Sequence, residues 1–552
     1  MISRRSMVKT IAAMIPASYL APFGAAAAHG ATTAPSGRIA PGPFEGSWES
    51  LKAYQTPDWF RDAKFGIWAH WTAQCVPEMG DWYARRMYVQ GDPKYDHHAK
   101  TYGHPTKFGF MEMNNLWKAE KWEPEKLMDL YVKAGAKYFV SLANHHDNFD
   151  NYDSSHHPWN STRVGPKRDI VGTWAQIARQ RGLRFGVSNH SSHAWHWFQT
   201  AYGYDAEGEF AGVRYDAHRL RKEDGKGTWW EGLDPQDLYA GPNMVIPDGI
   251  KTLKEAADWH QQNDRKWNEA PPANNPKFVE NWYLRCQELV DKYQPDLLYF
   301  DNHDLPLGQA GIDVTAHFYN QSIRWHGSLQ AVVNAKKLPA DRVKAVVFDI
   351  ERGRADEILP LPWQTDTCLG SWHYDRGIAE SHRYKSAATV IRMLVDIVSK
   401  NGNLLLSVPM RGDGTIDDDE RQVLADLAAW MSANGEAIYG TRPFSVSGEG
   451  APITRKAGEF NERDTREHTP EDIRFTTKGD TLYAFVLAWP ADGKVRVKTL
   501  ARGSQHFPKE IGRIELLGGG AVPFTRDDNG LYATLPEKRP NEIAATLKIT
   551  PA

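Results

Sequence analysis

Five short apolar runs in this chain each end in histidine or carboxylate, residue types that can move protons, attack carbon or grip hydroxyl groups. Ile67-Trp68-Ala69 leads into His70 and Trp71. The run ending at Ala143 leads into Asn144, His145, His146 and Asp147, and the one ending at Ser188 leads into Asn189 and His190. Leu297-Leu298-Tyr299-Phe300 delivers Asp301, then Asn302, His303 and Asp304. Ala345-Val346-Val347-Phe348 delivers Asp349 and, two residues on, Glu351. Each has a duller reading by itself: a strand-end histidine is commonly a structural hydrogen-bonder, and an aspartate after a strand a helix N-cap. Gathered at one end of one barrel, they supply the two carboxyls that glycosidic-bond cleavage needs, a nucleophile and a proton donor flanking the bond. A retaining enzyme holds such a pair about 5–5.5 Å apart. The clustered imidazoles would donate to sugar hydroxyls. Alternatively, His145, His146 and Asp147 would hold a metal, although no HExxH spacing accompanies them.

The elements that must position these groups alternate. Strands are expected over Phe65–Trp71, Tyr138–Ala143, Arg184–Ser188, Asp296–Phe300, Ala345–Ile350 and Asn403–Val408. Several are unbroken apolar runs, the pattern of strands buried on both faces of a parallel sheet. Helical patterns lie between them at 124–134, 169–181, 278–293 and 386–399. This predicts an α/β chain built on a TIM-type (β/α)8-like barrel over residues 45–444, whose active groups project from the C-terminal ends of the strands. An open doubly wound sheet is disfavoured, since no glycine-rich phosphate loop follows the early strands. Beyond Tyr439, short strand-like runs punctuated by Gly, Asp, Asn and Pro predict an antiparallel β-sandwich over 445–552. A long stretch from about 205 to 276, containing Trp229-Trp230, fits neither pattern and reads as an insertion; loops of that length tend to be lids or binding elements.

The N-terminus, Ser3-Arg4-Arg5-Ser6-Met7-Val8-Lys9 followed by the apolar run Thr10–Leu20 and the small residues Ala25–Ala31, has the form of a twin-arginine export signal. Cleavage near Ala27 or Ala31, a linker over 32–44 and a periplasmic or secreted location are expected. The apolar run is shorter than the roughly 20 residues a membrane span needs. Net charge is −3 with basic residues scattered, which offers neither nucleic acid nor a membrane surface a basic face. Three distant cysteines, Cys75, Cys286 and Cys368, suggest no disulfide framework and no zinc site. The 21 Trp, 22 Tyr and 21 Phe fit a sugar-processing enzyme, because C–H faces of pyranoses stack on aromatic rings.

Several ordered segments resemble glycoside hydrolase family 29, the α-L-fucosidases. They are Trp59–Ile67 with His70-Trp71, Asp81-Trp82-Tyr83, Ala134–Tyr138 through His145-His146-Asp147, and Pro166–Gly172. Pro295–Asp301, Leu394–Lys400 through Asn403–Leu406, and Asn434–Gly440 continue the match. The resemblance spans about residues 50–445 and implies a double displacement on fucosylated oligosaccharides or polysaccharides, without metal or other cofactor. It implies Asp301 as nucleophile and Glu351 as acid/base, with Asp349 and Glu357 as other candidates for the second role. Sugar contacts are implied for His70, Trp71, Asp81, Trp82, His145, His146, Asn189, His190, Tyr299 and Trp363. Two departures stand out. Asp81 occupies a position usually held by Glu, and Ser188-Asn189-His190-Ser191-Ser192-His193 replaces a usual Tyr-Tyr-Ser. Small polar groups there would make room for a hydroxymethyl, so an α-L-galactosidase is the nearest alternative; a catalytically silent sugar-binding barrel is another.

Overall fold

The computed structural model describes residues 38–263, 269–453, 458–463 and 465–552. The expected export signal, 1–31, lies outside the described residues. Eight parallel strands close into a barrel in sequence order: β1 Phe65–Ala69, β2 Tyr138–Asn144, β3 Arg184–Asn189, β4 Leu297–His303, β5 Val332–Lys336, β6 Val347–Glu351, β7 Trp363–Cys368 and β8 Gly402–Ser407. All of β1, β2, β5, β7 and β8 is buried, as expected of strands covered on both faces. Helices Ile170–Gln180, Pro276–Tyr293 and Ala387–Ser399 begin where Asp169, Asn275 and Ser386 cap the free backbone N–H groups.

Two strands, β5 and β7, were not expected from the sequence. β7 reads Trp-Gln-Thr-Asp-Thr-Cys, and its polar groups are buried rather than exposed, Gln364 and Asp366 on the inside of the barrel. They form a ladder: Tyr138 donates to Gln364, Gln364 to Asp349, and Tyr299 to Asp366, at 2.9, 2.6 and 2.8 Å. Asp349 and Asp366 sit in one interior; burial, with Asp366 adding to it, pushes the Asp349 carboxyl well above the usual carboxylate range.

Among the described residues no helix separates β5 from β6 or β6 from β7. On that side the chain beyond the barrel returns. Residues 458–462 run along the segment after β6, with backbone N–H groups of Gly458, Phe460 and Glu462 donating to carbonyls of Arg354, Glu351 and Arg352 at 3.1, 2.8 and 3.1 Å. Buried Glu462 fixes the strip through Arg352, Lys385 and Thr367.

The C-terminal part is two antiparallel sheets, as expected of a sandwich. One has the order β14-β13-β17-β11-β10-β9 and the other β12-β16-β15, with β9 Arg442–Glu449, β10 Ile473–Lys478, β11 Thr481–Val486, β12 Lys494–Val497, β13 Ile511–Leu516, β14 Gly520–Ala521, β15 Phe524–Asp527, β16 Gly530–Thr534 and β17 Ala545–Pro551. The period-2 alternation of β11 explains the layering. Leu482, Ala484 and Val486 join the core between the sheets, while Tyr483 and Phe485 join the barrel's core. The larger sheet is therefore a middle layer. Residues 38–44, expected as linker, are instead docked on helix Gln309–His326: Ala40 and Phe44 are buried, and Phe44 N donates to Asn320 Oδ1 at 2.9 Å. The insertion is likewise anchored, with Asp205 bonded to Tyr95 and His104 at 2.6 and 2.7 Å.

A buried ionic knot joins the two parts. Asp396 of helix Ala387–Ser399 accepts from Arg474 of β10 at 2.6 Å and from Lys400 at 2.9 Å, with Arg354 4.0 Å away. Burial alone would raise the Asp396 carboxyl, but Lys400, Arg474 and Arg354 hold it well below the usual range. Its stabilising contribution is thus present above the ordinary aspartate pKa and lost as pH falls through the depressed one. Asp396→Ala would strand three buried cations, and chemical denaturation is expected to report a loss of about 3–5 kcal/mol.

Candidate active site

A cavity of about 320 Å³ opens where the barrel strands end, the face on which such barrels carry their chemistry. Along a barrel strand alternate side chains face in and out, and this sorts the expected residues. His70 points in, its Nδ1 3.2 Å from Ser407 Oγ and its ring 3.9 Å from that of Trp68. Trp71, next in line, points out: its indole N–H donates to the Arg411 carbonyl at 2.8 Å and its ring packs on Trp117 and Trp122. In the same way Ser188 faces in, accepting from Trp68. Asn189 faces out, accepting from Trp282 Nε1 at 2.9 Å, and His190 turns back into the cavity. Trp71 and Asn189 therefore do not line it. Trp363 is further removed. It opens β7, at the opposite end of the barrel, with its indole on the Lys400 carbonyl.

Of the other expected contacts, Trp82, His145, His146, Asp301 and Glu351 line the cavity together with His70 and His190. Tyr299 lies beneath, its ring 4.6 Å from Trp68 and its hydroxyl on Asp366. Asp81 stands back from the cavity and clamps the loop after β7, accepting from Ser371 Oγ at 2.9 Å and the His373 backbone at 2.8 Å; Trp372 of that loop lines the cavity. Asp349 is fully buried in the ladder below and Glu357 is exposed elsewhere, so neither borders the cavity as Glu351 does. Trp229 and Trp230 of the insertion do not reach it either. Trp229 donates to Glu112 at 2.8 Å, and Trp230 is buried within the insertion. The insertion does contribute Glu269, which faces His193 at 3.0 Å.

One residue at the centre of the site is neither a histidine nor a carboxylate: Lys336, the last of β5. Its ammonium donates to Asp301 Oδ1 and to Glu351 Oε2, 2.6 Å in each case, and stands 3.8 Å from Asp366 Oδ2. The sequence signal for it is weak: a lysine closing Ala331-Val332-Val333-Asn334-Ala335, a stretch interrupted by an asparagine. The other Asp301 oxygen lies 3.3 Å from His146 Nε2 and 3.2 Å from His190 Nδ1.

These surroundings push the two carboxyls apart. For Asp301, burial favours the neutral acid, but the Lys336 ammonium and the His146 and His190 contacts outweigh it and hold the group well below the usual carboxylate range. For Glu351, burial dominates. Opposed by Lys336 but aided by Asp366 and Asp301, it raises the pKa to about 7. One carboxylate is thus ionised and its neighbour protonated near neutrality, the division of labour that nucleophile and acid require. Burial also depresses His70 and His145 well below, and His190 to about 4, so these rings are neutral at pH 7. His146 Nδ1 is 2.8 Å from the His190 carbonyl, where only an N–H is useful. The nitrogens of His145, His146 and His190 come within 4.8 Å of one another, but two of these rings turn a nitrogen on Asp301. Asp147, expected as a third ligand in the metal reading, is buried away from the cavity.

Comparison with known proteins gives consistent matches. The α-L-fucosidase family model matches residues 32–436, and that of the α-L-fucosidase C-terminal domain matches 465–550. Human tissue α-L-fucosidase is 26% identical, with 92% of each chain covered; the rat enzyme is 28% identical over 94% of this chain and 95% of its own. The crystal structure of Thermotoga maritima α-fucosidase with a mechanism-based inhibitor aligns with TM-score 0.66 at 26% identity, covering 92% of this chain and all of that one. The complex of the same enzyme with fucose aligns with TM-score 0.63 at 25% identity.

Removing the ammonium tests the electrostatics directly. Lys336→Met keeps the volume but leaves Asp301 and Glu351 facing one another without a cation, so Asp301 is expected to titrate above the ordinary aspartate value of about 3.9. Infrared difference titration should show its carboxylate band vanish on acidification in the variant and persist in the parent protein.

Proposed function

The chain belongs to the α-L-fucosidase family of glycoside hydrolases, and on that premise we propose that it removes terminal α-L-fucosyl residues from glycans by double displacement with retention. The observation that carries the reading is the shared ammonium. Oxygens of Asp301 and Glu351 each lie 2.6 Å from Lys336 Nζ, so they stand within twice that distance of one another. That suits the about 5–5.5 Å of retaining enzymes, not the 6.5–9.5 Å that leaves room for an attacking water.

In the first step a carboxylate oxygen of Asp301 attacks the anomeric carbon while Glu351 gives its proton to the departing glycosidic oxygen. The product is a fucosyl ester of Asp301 and a free alcohol. Esterification removes the Asp301 charge, which had been helping to raise the Glu351 pKa. Lys336 remains, so the Glu351 pKa falls and the carboxylate left by the proton transfer stays ionised, free to act as the base that takes a proton from water. Water then attacks the same carbon and restores Asp301. The neutral imidazoles of His70 and His145 bind hydroxyls, while His146 and His190 face the Asp301 carboxylate. Export through the twin-arginine signal and removal of residues 1–31 belong to the same proposal; mass spectrometry of the mature N-terminus tests it.

Asp301→Gly is expected to lower kcat on 4-nitrophenyl α-L-fucoside by at least about 10³-fold with little change in the unfolding midpoint. Retention of more than a tenth of the rate would remove Asp301 from the role. Glu351→Ala should cost more on natural glycans than on the aryl substrate, whose leaving group needs no acid, and azide should recover part of the rate. In the parent enzyme kcat/KM is expected to fall as pH rises through about 7, where Glu351 loses its proton. Chelator should leave the rate unaltered.

A further inference from the structure

Among the described residues Phe460 is the most exposed of the large apolar side chains, 61% accessible, and it lines the cavity with its neighbour Glu459. Neither residue comes from the barrel. Both belong to the strip 458–462, held against the segment after β6 by the backbone hydrogen bonds described above. One of these joins the Phe460 N–H to the carbonyl of Glu351 itself. The fit is close: a Cβ on Gly353 would lie 1.9 Å from the Gly458 carbonyl oxygen. Phe460 also holds a left-handed backbone, φ 55°, a conformation that bulky residues rarely adopt. The backbone of an exposed aromatic residue is thus fixed on the side of the cavity where Glu351 stands.

From these placements we propose that Phe460 and Glu459 form the subsite for the leaving group, and that its occupant is a neutral pyranose. This rests on the fucosidase reading, since the acid/base must lie beside the departing oxygen. The ring offers a stacking face for the sugar's C–H surface. Glu459 offers an acceptor: among the described residues its Oε1 is buried and without a hydrogen-bond partner, while Oε2 pairs with Lys337 at 3.1 Å. Buried polar atoms left unpaired are costly, and a sugar hydroxyl would satisfy this one. Because the charges of Glu459 and Lys337 cancel, the site carries no preference for an acidic sugar.

The test uses the full-length enzyme and two substrates that differ only beyond the anomeric carbon: α-L-fucosyl fluoride, whose leaving group is too small to reach Phe460, and an α-L-fucosyl disaccharide of a neutral hexose. Phe460→Ala and Glu459→Ala are each expected to lower kcat/KM for the disaccharide about tenfold or more, mainly through KM. The fluoride should change less than about twofold, and Phe460→Trp should restore the disaccharide. An exposed ring leaves no core to collapse on truncation. Equal losses on both substrates would make the strip a support for the fucosyl pocket and overturn the proposal, as would no loss on either. If the unaltered enzyme hydrolyses neither substrate, the fucosidase reading itself falls, an outcome visible before any variant is made.

Discussion

Much of this structure depends on one ammonium taken out of water and given three carboxylates. A lysine buried alone would shed its proton; Lys336, with Asp301, Glu351 and Asp366 around it, instead keeps it, held well above the usual lysine range. The same field keeps Asp301 ionised inside the protein. Without a fixed cation, two carboxyls this close would share a proton, and neither would be both charged and nucleophilic. The barrel supplies what the cation needs. β4, β5 and β6 are adjacent, so their last residues converge, and the ladder of Tyr138, Gln364, Asp349, Asp366 and Tyr299 gives the floor a polar, fully packed base.

Around that centre the aromatic and imidazole groups serve as walls. Trp68, Trp82 and Trp372 and the histidines line the cavity, most of them set by rigid strand ends. Asp81 holds the Trp372 loop from behind. The second domain is part of the wall too: where helices are missing outside β5–β7, its strip 458–462 lies against the barrel and the Asp396 knot ties its larger sheet down.

Much of this was legible in the sequence. The barrel, the antiparallel domain after it and the ends carrying His70, His145, His146, His190, Asp301 and Glu351 follow from apolar runs that stop at polar residues. What escaped was polar where burial was expected to be apolar. β7 turns Gln364 and Asp366 into the barrel and buries Thr365 and Thr367 on its outer face, so no hydrophobic run marks it, and nothing in the sequence shows that Trp363 opens it at the end away from the cavity. Trp71 and Asn189 stand one residue from cavity-lining positions yet face away, because at a strand end neighbours in sequence face opposite sides. Glu459 and Phe460 lie more than a hundred residues beyond Glu351, in a stretch whose composition says only loop; their nearness to it is a matter of how two domains dock.

That docking bears on how such enzymes diversify. The catalytic barrel and the sheets after it look in sequence like modules that recombination might exchange freely. Here the seam runs through the mouth of the cavity: Gly353 has no room for a side chain against Gly458, and the backbone beside Glu351 is hydrogen-bonded to Phe460. A chimaera joining this barrel to a relative's second domain would inherit a foreign rim along with the foreign sheets. Selection would then act on the two halves as one heritable unit.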